Sequence, residues 1–245
     1  MTSENYLGNA MIDLTYVGKR KSEALYEACV YAFGDVARHV TEIKQEYEGS
    51  KVFEPKPLRK VLRDKSIILS EGEIDNNGGK GASQNTNTNP AYQLDLLDES
   101  WYVFNDNYGT SEEKRFLRYF KANVVPKLKE KNVEFYVVRN ERVPDLAIYS
   151  FDDGGRFEPD FLLFIKKHGN QTFSASQVYV EPKGSHLLLQ DQWKEEFLAE
   201  ITMDAEVYDS YTFGNEYAII GLPFFNEEQR LNEFAKAMDE FIAKL

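Results

Sequence analysis

Two short apolar strands joined by a polar turn, each with an acidic residue beside a proline, constrain this chain more than any other stretch. Residues 160–165 (DFLLFI) and 177–182 (QVYVEP) are rich in apolar and β-branched side chains, which predicts strands. Between them, HGNQ at 168–171 is a turn signal. Pro159-Asp160 leads into the first strand, and Val180-Glu181-Pro182-Lys183-Gly184 leads out of the second. The midpoint of positions 160 and 181 is 170.5, inside that turn, so a symmetric hairpin sets Asp160 opposite Glu181. Opposed residues of an antiparallel pair have Cβ atoms about 5 Å apart, close enough for two carboxylates to share one cation. Alternation along a strand puts Glu181 and Lys183 on the same side.

The individual pieces are common. Glu-x-Lys also occurs at Glu42/Lys44, Glu54/Lys56 and Glu112/Lys114, and Pro-Asp also at Pro144-Asp145. Only Asp160 with Glu181 and Lys183 combines a strand context with hairpin geometry. If residues 146–151 and 160–165 pair across the turn at 152–155, Asp145 falls several residues from the level of Asp160. A hairpin with solvent-facing acidic and basic ends would carry the same letters, so further features have to separate the two readings.

Those features lie in the order of elements. Thr110-Ser111-Glu112-Glu113 has the capping-box pattern that opens a helix. Phe116, Leu117, Phe120, Val124 and Leu128 then recur at helical spacing, with Pro126 either kinking the helix or starting its last turn afresh. Strands are predicted at about 133–139, 145–151, 160–166 and 177–182. A helix at about 190–203, a strand at 217–221 and a helix at 226–243 follow. One strand exceeds a minimal meander. This order, with the Asp160, Glu181 and Lys183 spacing, resembles the PD-(D/E)XK nuclease superfamily. The resemblance implies an α/β, restriction-endonuclease-like core: helix, mixed sheet with a β-meander carrying the motif, helix, strand, helix.

A closer resemblance covers roughly residues 101–205. The strings TSEEKRFLRYF, FYVVRNERVPDLAIY, RFEPDFLLF and VYVEPKGSHLLLQDQWKEEFL, in that order, are similar to the C-terminal endonuclease domain of the restriction subunit of type III restriction–modification enzymes. In that family the nuclease follows an ATP-driven helicase region, and a modification (methyltransferase) subunit reads the recognition site. The partners implied are therefore DNA, the modification subunit and the helicase region. The chain itself has no G-x-x-x-x-G-K-[ST]: Gly78-Gly79-Lys80-Gly81 lacks the upstream glycine spacing and the hydroxyl after lysine. ATP would enter only through a helicase region that this chain does not carry. The chain thus looks like a nuclease-bearing fragment or a stand-alone relative.

The chemistry implied is hydrolysis of a DNA phosphodiester. Asp160 and Glu181 would hold Mg²⁺, a hard cation that takes few carboxylates together with water and phosphate oxygens. The resemblance adds the backbone carbonyl of Pro182 as a further ligand. Lys183 would position the attacking water or balance charge in the transition state, and a role as base stays open. Glu113, three and four residues before Phe116 and Leu117, is the fourth candidate. Two roles stand open for it: joining the metal shell, as a first-helix glutamate does in the resembled superfamily, or completing the capping box. Ser185 and His186 lack the partners of a nucleophile dyad, and His39 and His168 give no metal-ligand spacing. Trp193 reads as core or interface, and Lys194 as a possible DNA contact. The alternatives are a repair nuclease or junction resolvase of the same superfamily, or a nuclease fold kept as an inactive interaction module. Intact Asp160, Glu181 and Lys183 weigh against the last. The acidic chain with its long N-terminal region weighs against a compact resolvase.

Composition bounds the rest. The 245 residues suffice for a real core, and one cysteine, Cys29, excludes an intrachain disulfide. Cys29 lies on the apolar face of a predicted helix at 19–48, marked by Leu25, Ala28, Ala32, Phe33, Val36, Val40 and Ile43, so buried packing is expected. No apolar run approaches the roughly 18 residues that span a bilayer, and MTSENYLGN carries no secretory signal, so no membrane partner and a cytoplasmic location are expected. The net charge of −12 opposes DNA binding in bulk, although phosphate recognition depends on local fields. Lys51, Lys56, Arg59, Lys60, Arg63 and Lys65 form one basic stretch, readable as phosphate contacts or as a solvated surface. A strand is expected at 66–70 and a mobile, disordered loop near 72–90, where apolar residues are almost absent. The domains predicted are a mainly helical connector or docking region, residues 1–97, and a nuclease domain, residues 98–245.

Overall fold

The computed structural model describes residues 18, 20–42, 48–54, 56–62, 66, 74–75, 77–169, 172–207 and 215–245, with backbone only for 35–42. The predicted strand at 66–70 beyond Ser66, Arg63, Lys65, Ile43, the turn residues Asn170 and Gln171, and the side chains of Val36, His39 and Val40 lie outside the described residues. The chain divides into two compact units, Met1–Tyr47 and Glu48–Leu245.

The first unit holds helix α1 (Lys21–Glu42), where the apolar periodicity predicts it. Cys29 on this helix is exposed, contrary to the expected burial, and so are Leu25 and Phe33 on the same stripe. Periodicity defines a face of a helix; it does not supply what covers that face.

The second unit is a mixed α/β domain. Its order is β1 (Val52–Phe53), α2 (Leu58–Val61), α3 (Ser111–Tyr119), α4 (Val125–Glu130), β2 (Glu134–Arg139), β3 (Ile148–Tyr149), β4 (Arg156–Phe157), β5 (Phe161–His168), β6 (Phe173–Val180), α5 (Gln192–Asp204), β7 (Glu206–Val207), β8 (Glu216–Gly221) and α6 (Leu231–Lys244). Four strands form the main sheet in the order β2-β5-β6-β8. The β2/β5 and β5/β6 pairs are antiparallel, and β6/β8 is parallel, with α5 in the crossover. β3 and β4 pair only with each other, so the surplus strand of the sequence is the peripheral one at 148–149. Pro144 explains its shortness, since residues 144–146 wind into a 3₁₀ turn instead of extending.

Each face of the sheet is buried by helices. Phe161, Leu163, Ile165, Val178 and Val180 pack with Phe116, Leu117, Phe120 and Leu128 of the α3–α4 segment and with Phe234 and Met238 of α6. Leu162 and Tyr179 face the other way, onto Phe197, Leu198 and Ile201 of α5. This is the two-fold alternation of a sheet buried on both sides.

Local chemistry fixes the helix ends. Thr110 and Glu113 form the reciprocal capping box at the start of α3. Between α3 and α4, residues 120–124 form a π-helical turn in which the Val125 amide donates to the Phe120 carbonyl. Pro126 then sits in the first turn of α4, where a missing N–H costs nothing, so the segment starts afresh rather than continuing. Asn226 shortens the last helix from the predicted start at 226 to Leu231. Its side-chain oxygen takes the amides of Glu228 (3.0 Å) and Gln229 (2.7 Å), holding 226–230 as a turn.

The stretch near 72–90 differs from the expected disordered loop wherever it is described. Gln84 is fully buried: its amide donates to the carbonyls of Tyr92 (3.0 Å) and Lys114 (2.9 Å), and its oxygen accepts from Asn107 (2.8 Å). Asp106 accepts from Ser83 Oγ and the amides of Gln84 and Asn85, and Asn87 donates to the Gly78 carbonyl. Asn, Gln and Asp side chains satisfy this backbone in place of an apolar core. Its described residues 77–108 contain no helix and lie in the second unit, which begins at Glu48 rather than at 98.

One glycine is dictated by packing. A Cβ on Gly221 would lie 2.2 Å from the Leu198 carbonyl oxygen and 2.6 Å from its Cα, while Thr202 Oγ1 bonds both the amide and the carbonyl of Gly221 at 2.9 Å. Gly221→Ala therefore forces α5 off the sheet, and urea unfolding should show a loss of about 1–3 kcal/mol. An unchanged unfolding midpoint would contradict the close approach.

Candidate active site

The hairpin places the motif as its arithmetic requires. Phe161 pairs with Val180, so one residue further out Asp160 stands opposite Glu181. Both residues lie just beyond the ladder, because the prolines beside them, Pro159 and Pro182, have no N–H to continue it. The Asp160 amide donates instead to Glu181 Oε2, at 2.9 Å. On β2, Arg139 pairs with Phe161, which puts Asn140 in the same cross-strand row; its amide donates to the Asp160 carbonyl at 2.7 Å. Asn140, Asp160 and Glu181 are thus neighbours at the end of three adjacent strands.

Lys183 and Glu181 are 8% and 4% exposed, and Lys183 Nζ lies 2.7 Å from Glu181 Oε1. Parallel pairing of Pro182 with Phe225 fixes the segment between them. The Phe225 amide donates to the Glu181 carbonyl (3.0 Å), and the Lys183 amide to the Phe225 carbonyl (2.9 Å). Asn226 Nδ2 donates to the Lys183 carbonyl at 2.7 Å. Backbone alternation then turns the Pro182 carbonyl toward the β5 side, where Pro159 has no N–H to offer it.

Two residues that sequence reasoning did not single out complete the cluster. Asp191, just before α5, accepts from Lys183 Nζ (2.8 Å) and Lys194 Nζ (2.9 Å) through the same Oδ2. Lys194 is therefore engaged with Asp191, and its neighbour Trp193 is exposed on one side while its ring meets Phe157 edge-on. Arg139 is clamped between Glu113 and Glu141. Glu113 is buried, with Oε1 taking the Thr110 amide and Oε2 taking Arg139 Nε, so both of its carboxylate oxygens are occupied. A Cβ on Gly109 would sit 2.2 Å from Glu113 Oε2, so any larger residue there would push this carboxylate from its place. The one sequence signal for these missed residues was position: Arg139 ends a strand, and Asp191 opens a helix, beside the motif.

Other predicted residues lie elsewhere. Asp145 pairs with Lys56 at 2.6 Å, and Ser185 Oγ donates to Glu228 at 2.6 Å. His168 meets Glu134 at 3.2 Å. Lys114 does not pair with Glu112; it is fully buried and donates to the Gly79 and Gly109 carbonyls, and burial lowers its pKa to about 8. Beside Lys183 opens a cavity of about 270 Å³ lined by Glu112, Arg115, Ser185, His186, Asn226 and Glu228, among others. A larger hollow of about 610 Å³ under Tyr136, Phe164 and Tyr217 contains none of the predicted catalytic residues.

The electrostatics divide the carboxylates. Burial, then the charges of Glu181 and Glu113, pushes the Asp160 carboxyl well above the usual range. Burial also raises Glu181, although Lys183 and the Asp160 amide oppose the shift. Burial works against the Lys183 ammonium, but Glu181 and Asp191 outweigh it and hold its pKa above the ordinary lysine value. For Asp191, Lys183 and Lys194 overcome burial and keep its pKa low. Asp160 makes no ion pair among the described residues, unlike Glu113, Glu181 and Asp191. Among the described residues no group of three or more His, Cys, Asp or Glu is arranged to hold a metal ion. Asp160 and Glu181 are neighbours across the strand ends, and the charge of Glu181 acts on the Asp160 carboxyl.

These observations define a mixed α/β domain with an ion-paired carboxylate cluster at the end of its central strands. The chain belongs to the HI_1054_C family, whose C-terminal domain matches residues 88–243, a span containing every residue of the cluster. It is similar to a protein of Haemophilus influenzae (strain ATCC 51907 / DSM 11121 / KW20 / Rd) named only as uncharacterized, with 30% identity over 212 residues. That alignment covers 82% of this chain and 41% of the relative, so the chain spans less than half of the relative's length. No solved structure matches it. Among the described residues no helix is long and apolar enough to cross a membrane.

A carboxyl with a raised pKa in the folded state favours folding below the unfolded pKa, near 4, and that contribution is lost as pH rises through the folded value. Ionised Asp160 therefore destabilises the metal-free protein at neutral pH. Asp160→Asn should raise the thermal midpoint at pH 7 by about 2–4 °C, and the gain should shrink toward pH 4. A variant that melts below the wild type at pH 7 would contradict this assignment.

Proposed function

We propose that this chain is a Mg²⁺-dependent endonuclease domain of the PD-(D/E)XK superfamily with a restriction-endonuclease-like core. It would hydrolyse DNA phosphodiester bonds as the cleavage module of a type III restriction enzyme. The observation that carries the reading is the convergence of Asp160 and Glu181 from adjacent strands, with the Lys183 ammonium on Glu181. An unpaired carboxylate beside two others, with its pKa raised, is a site short of positive charge. Two carboxylates and the Pro182 carbonyl suit Mg²⁺, which takes one or two carboxylates and leaves its remaining positions to water and substrate phosphate. When bound, such an ion lowers the pKa of water and polarises phosphoryl oxygens.

The residues of the chain would then divide the work. Asp160 and Glu181 fix the cation at the strand ends, on rigid backbone rather than on a loop. Lys183, kept protonated by its two carboxylate partners, favours hydrogen-bond donation to the phosphoryl oxygens or the attacking water over proton abstraction. Glu113, whose oxygens are taken by Thr110 and Arg139, serves better as a brace for Arg139 than as a metal ligand. Arg139 and Asn140, whose Nδ2 is buried without a partner among the described residues, line the same edge. DNA affinity would come chiefly from the helicase region and the modification subunit. Within the basic stretch, Lys51 and Lys56 are already paired with Asp204 and Asp145.

The test is plasmid nicking by the full-length protein in its native assembly, with Mg²⁺ or with EDTA. Asp160→Ala and Lys183→Ala should each lower the Mg²⁺-dependent rate by about 100-fold or more. Folded variants that nick at the wild-type rate would reject the active-site assignment.

A further inference from the structure

We propose that Asp191 is the positioning residue for Lys183, retaining its ammonium at the site when Glu181 turns to a divalent cation. The inference rests on the metal reading above and concerns how the site survives metal entry. In the structure Lys183 Nζ is held from two sides, by Glu181 Oε1 at 2.7 Å and Asp191 Oδ2 at 2.8 Å. An ammonium has three donors, so both bonds can be made at once. With Glu181 as its only partner, Lys183 would compete with the cation for one carboxylate. It would then lose either its own position or the cation. A second acid on the far side removes that conflict.

Asp191 is built for this task and not for the one its position suggests. It occupies the N-cap of α5, where an aspartate ordinarily accepts a backbone N–H of the first turn, worth about 1 kcal/mol of helix stability. Here its side chain makes no such bond. Its carboxylate reaches back to Lys183 instead, and Lys194, one turn into the helix, holds the same oxygen at 2.9 Å. Lys194 thus fixes Asp191, and Asp191 fixes Lys183. The Phe224 ring, 5.6 Å from Lys183 Nζ, closes another side.

A double-mutant cycle on the full chain separates this role from a general effect of negative charge. The proteins are wild type, Asp191→Asn, Lys183→Met and the double variant, with Mg²⁺ binding read by calorimetry. In the wild-type background, Asp191→Asn should weaken Mg²⁺ about 5–10-fold, because Lys183 falls wholly onto Glu181; contacting pairs couple on this scale. In the Lys183→Met background the same change should alter affinity by less than about twofold. Asp191→Glu, which keeps the acid, should restore most of the loss. Equal weakening in both backgrounds would overturn the proposal, because Asp191 would then act only as a distant charge. Absence of Mg²⁺ binding by the wild type would reject the metal reading and this role together, whereas equal weakening in both backgrounds rejects the role and leaves the metal reading standing. Urea unfolding of the same four proteins without metal checks the contact itself: strictly additive losses would reject the Asp191–Lys183 pairing on which the role depends.

Discussion

The carboxylate of Glu181 holds this site together. One oxygen takes the amide of Asp160 and the other the ammonium of Lys183, so a single buried side chain ties the entry of β5 to the segment leaving β6. A buried charge is tolerated only when it is paired and its remaining lone pairs are satisfied. Glu181 meets that demand with one charged and one backbone donor, and Asp191 and Lys194 extend the pairing onto α5. On the opposite face Arg139 links Glu113 and Glu141. The cluster is therefore braced from both helical layers, and the sheet between them sets its register.

The parts of this arrangement that were legible in the sequence are those governed by period and by backbone chemistry. A two-residue repeat and one turn fix the pairing of Asp160 with Glu181, since slipping by one residue would move Phe161, Leu163 and Ile165 from the α3–α6 face onto the α5 face. Thr110 and Glu113 announced the start of α3 through a pattern whose partners lie three residues apart. The order of helices and strands followed from similar local signals. Arg139 and Asp191 were not legible as site residues, because the contacts that bring them to the site, with Glu113 and Lys183, span 26 and 8 residues and no local rule pairs those. The stretch near 72–90 was misread, where it is described, for the opposite reason. Its polar residues look unable to build a core, yet Gln84, Asn87 and Asp106 fold it by bonding its own backbone. Cys29 shows a third limit, since an apolar stripe predicts a face and not its covering.

The acidity of the chain is less of an obstacle to a phosphate substrate than its net charge of −12 suggests. Much of the acidic charge near the site is already committed to fixed cations, with Glu113 and Glu141 on Arg139 and Asp191 on two lysines. What a phosphodiester would meet at the strand ends is then the residual field of Asp160 and Glu181, the two groups the proposed cation would neutralise. Basic residues that looked available, Lys51 and Lys56, are spent on Asp204 and Asp145. Under the nuclease reading, this domain contributes orientation and chemistry, and binding strength is supplied elsewhere in the assembly.

Formal charge sharpens the same point. Among the described residues, the ion pairs around the motif join Glu113, Glu141, Glu181 and Asp191 to Arg139, Lys183 and Lys194, and Asp160 lies beside them without a base, five acids near three bases. Under the metal reading a divalent cation would offset this excess of acid, and without it the cheapest remedy is a proton. Asp160 is where that proton would go, since it is the acid of this set with no base of its own and with its pKa pushed up by burial and by its neighbours. Under the metal reading, proton and cation would therefore compete for one carboxylate. A cluster that was merely structural would have no need to leave that acid unpaired, because an asparagine would fill the same space without charge. Under the metal reading, the bound cation would balance a group that the protein leaves costly to ionise.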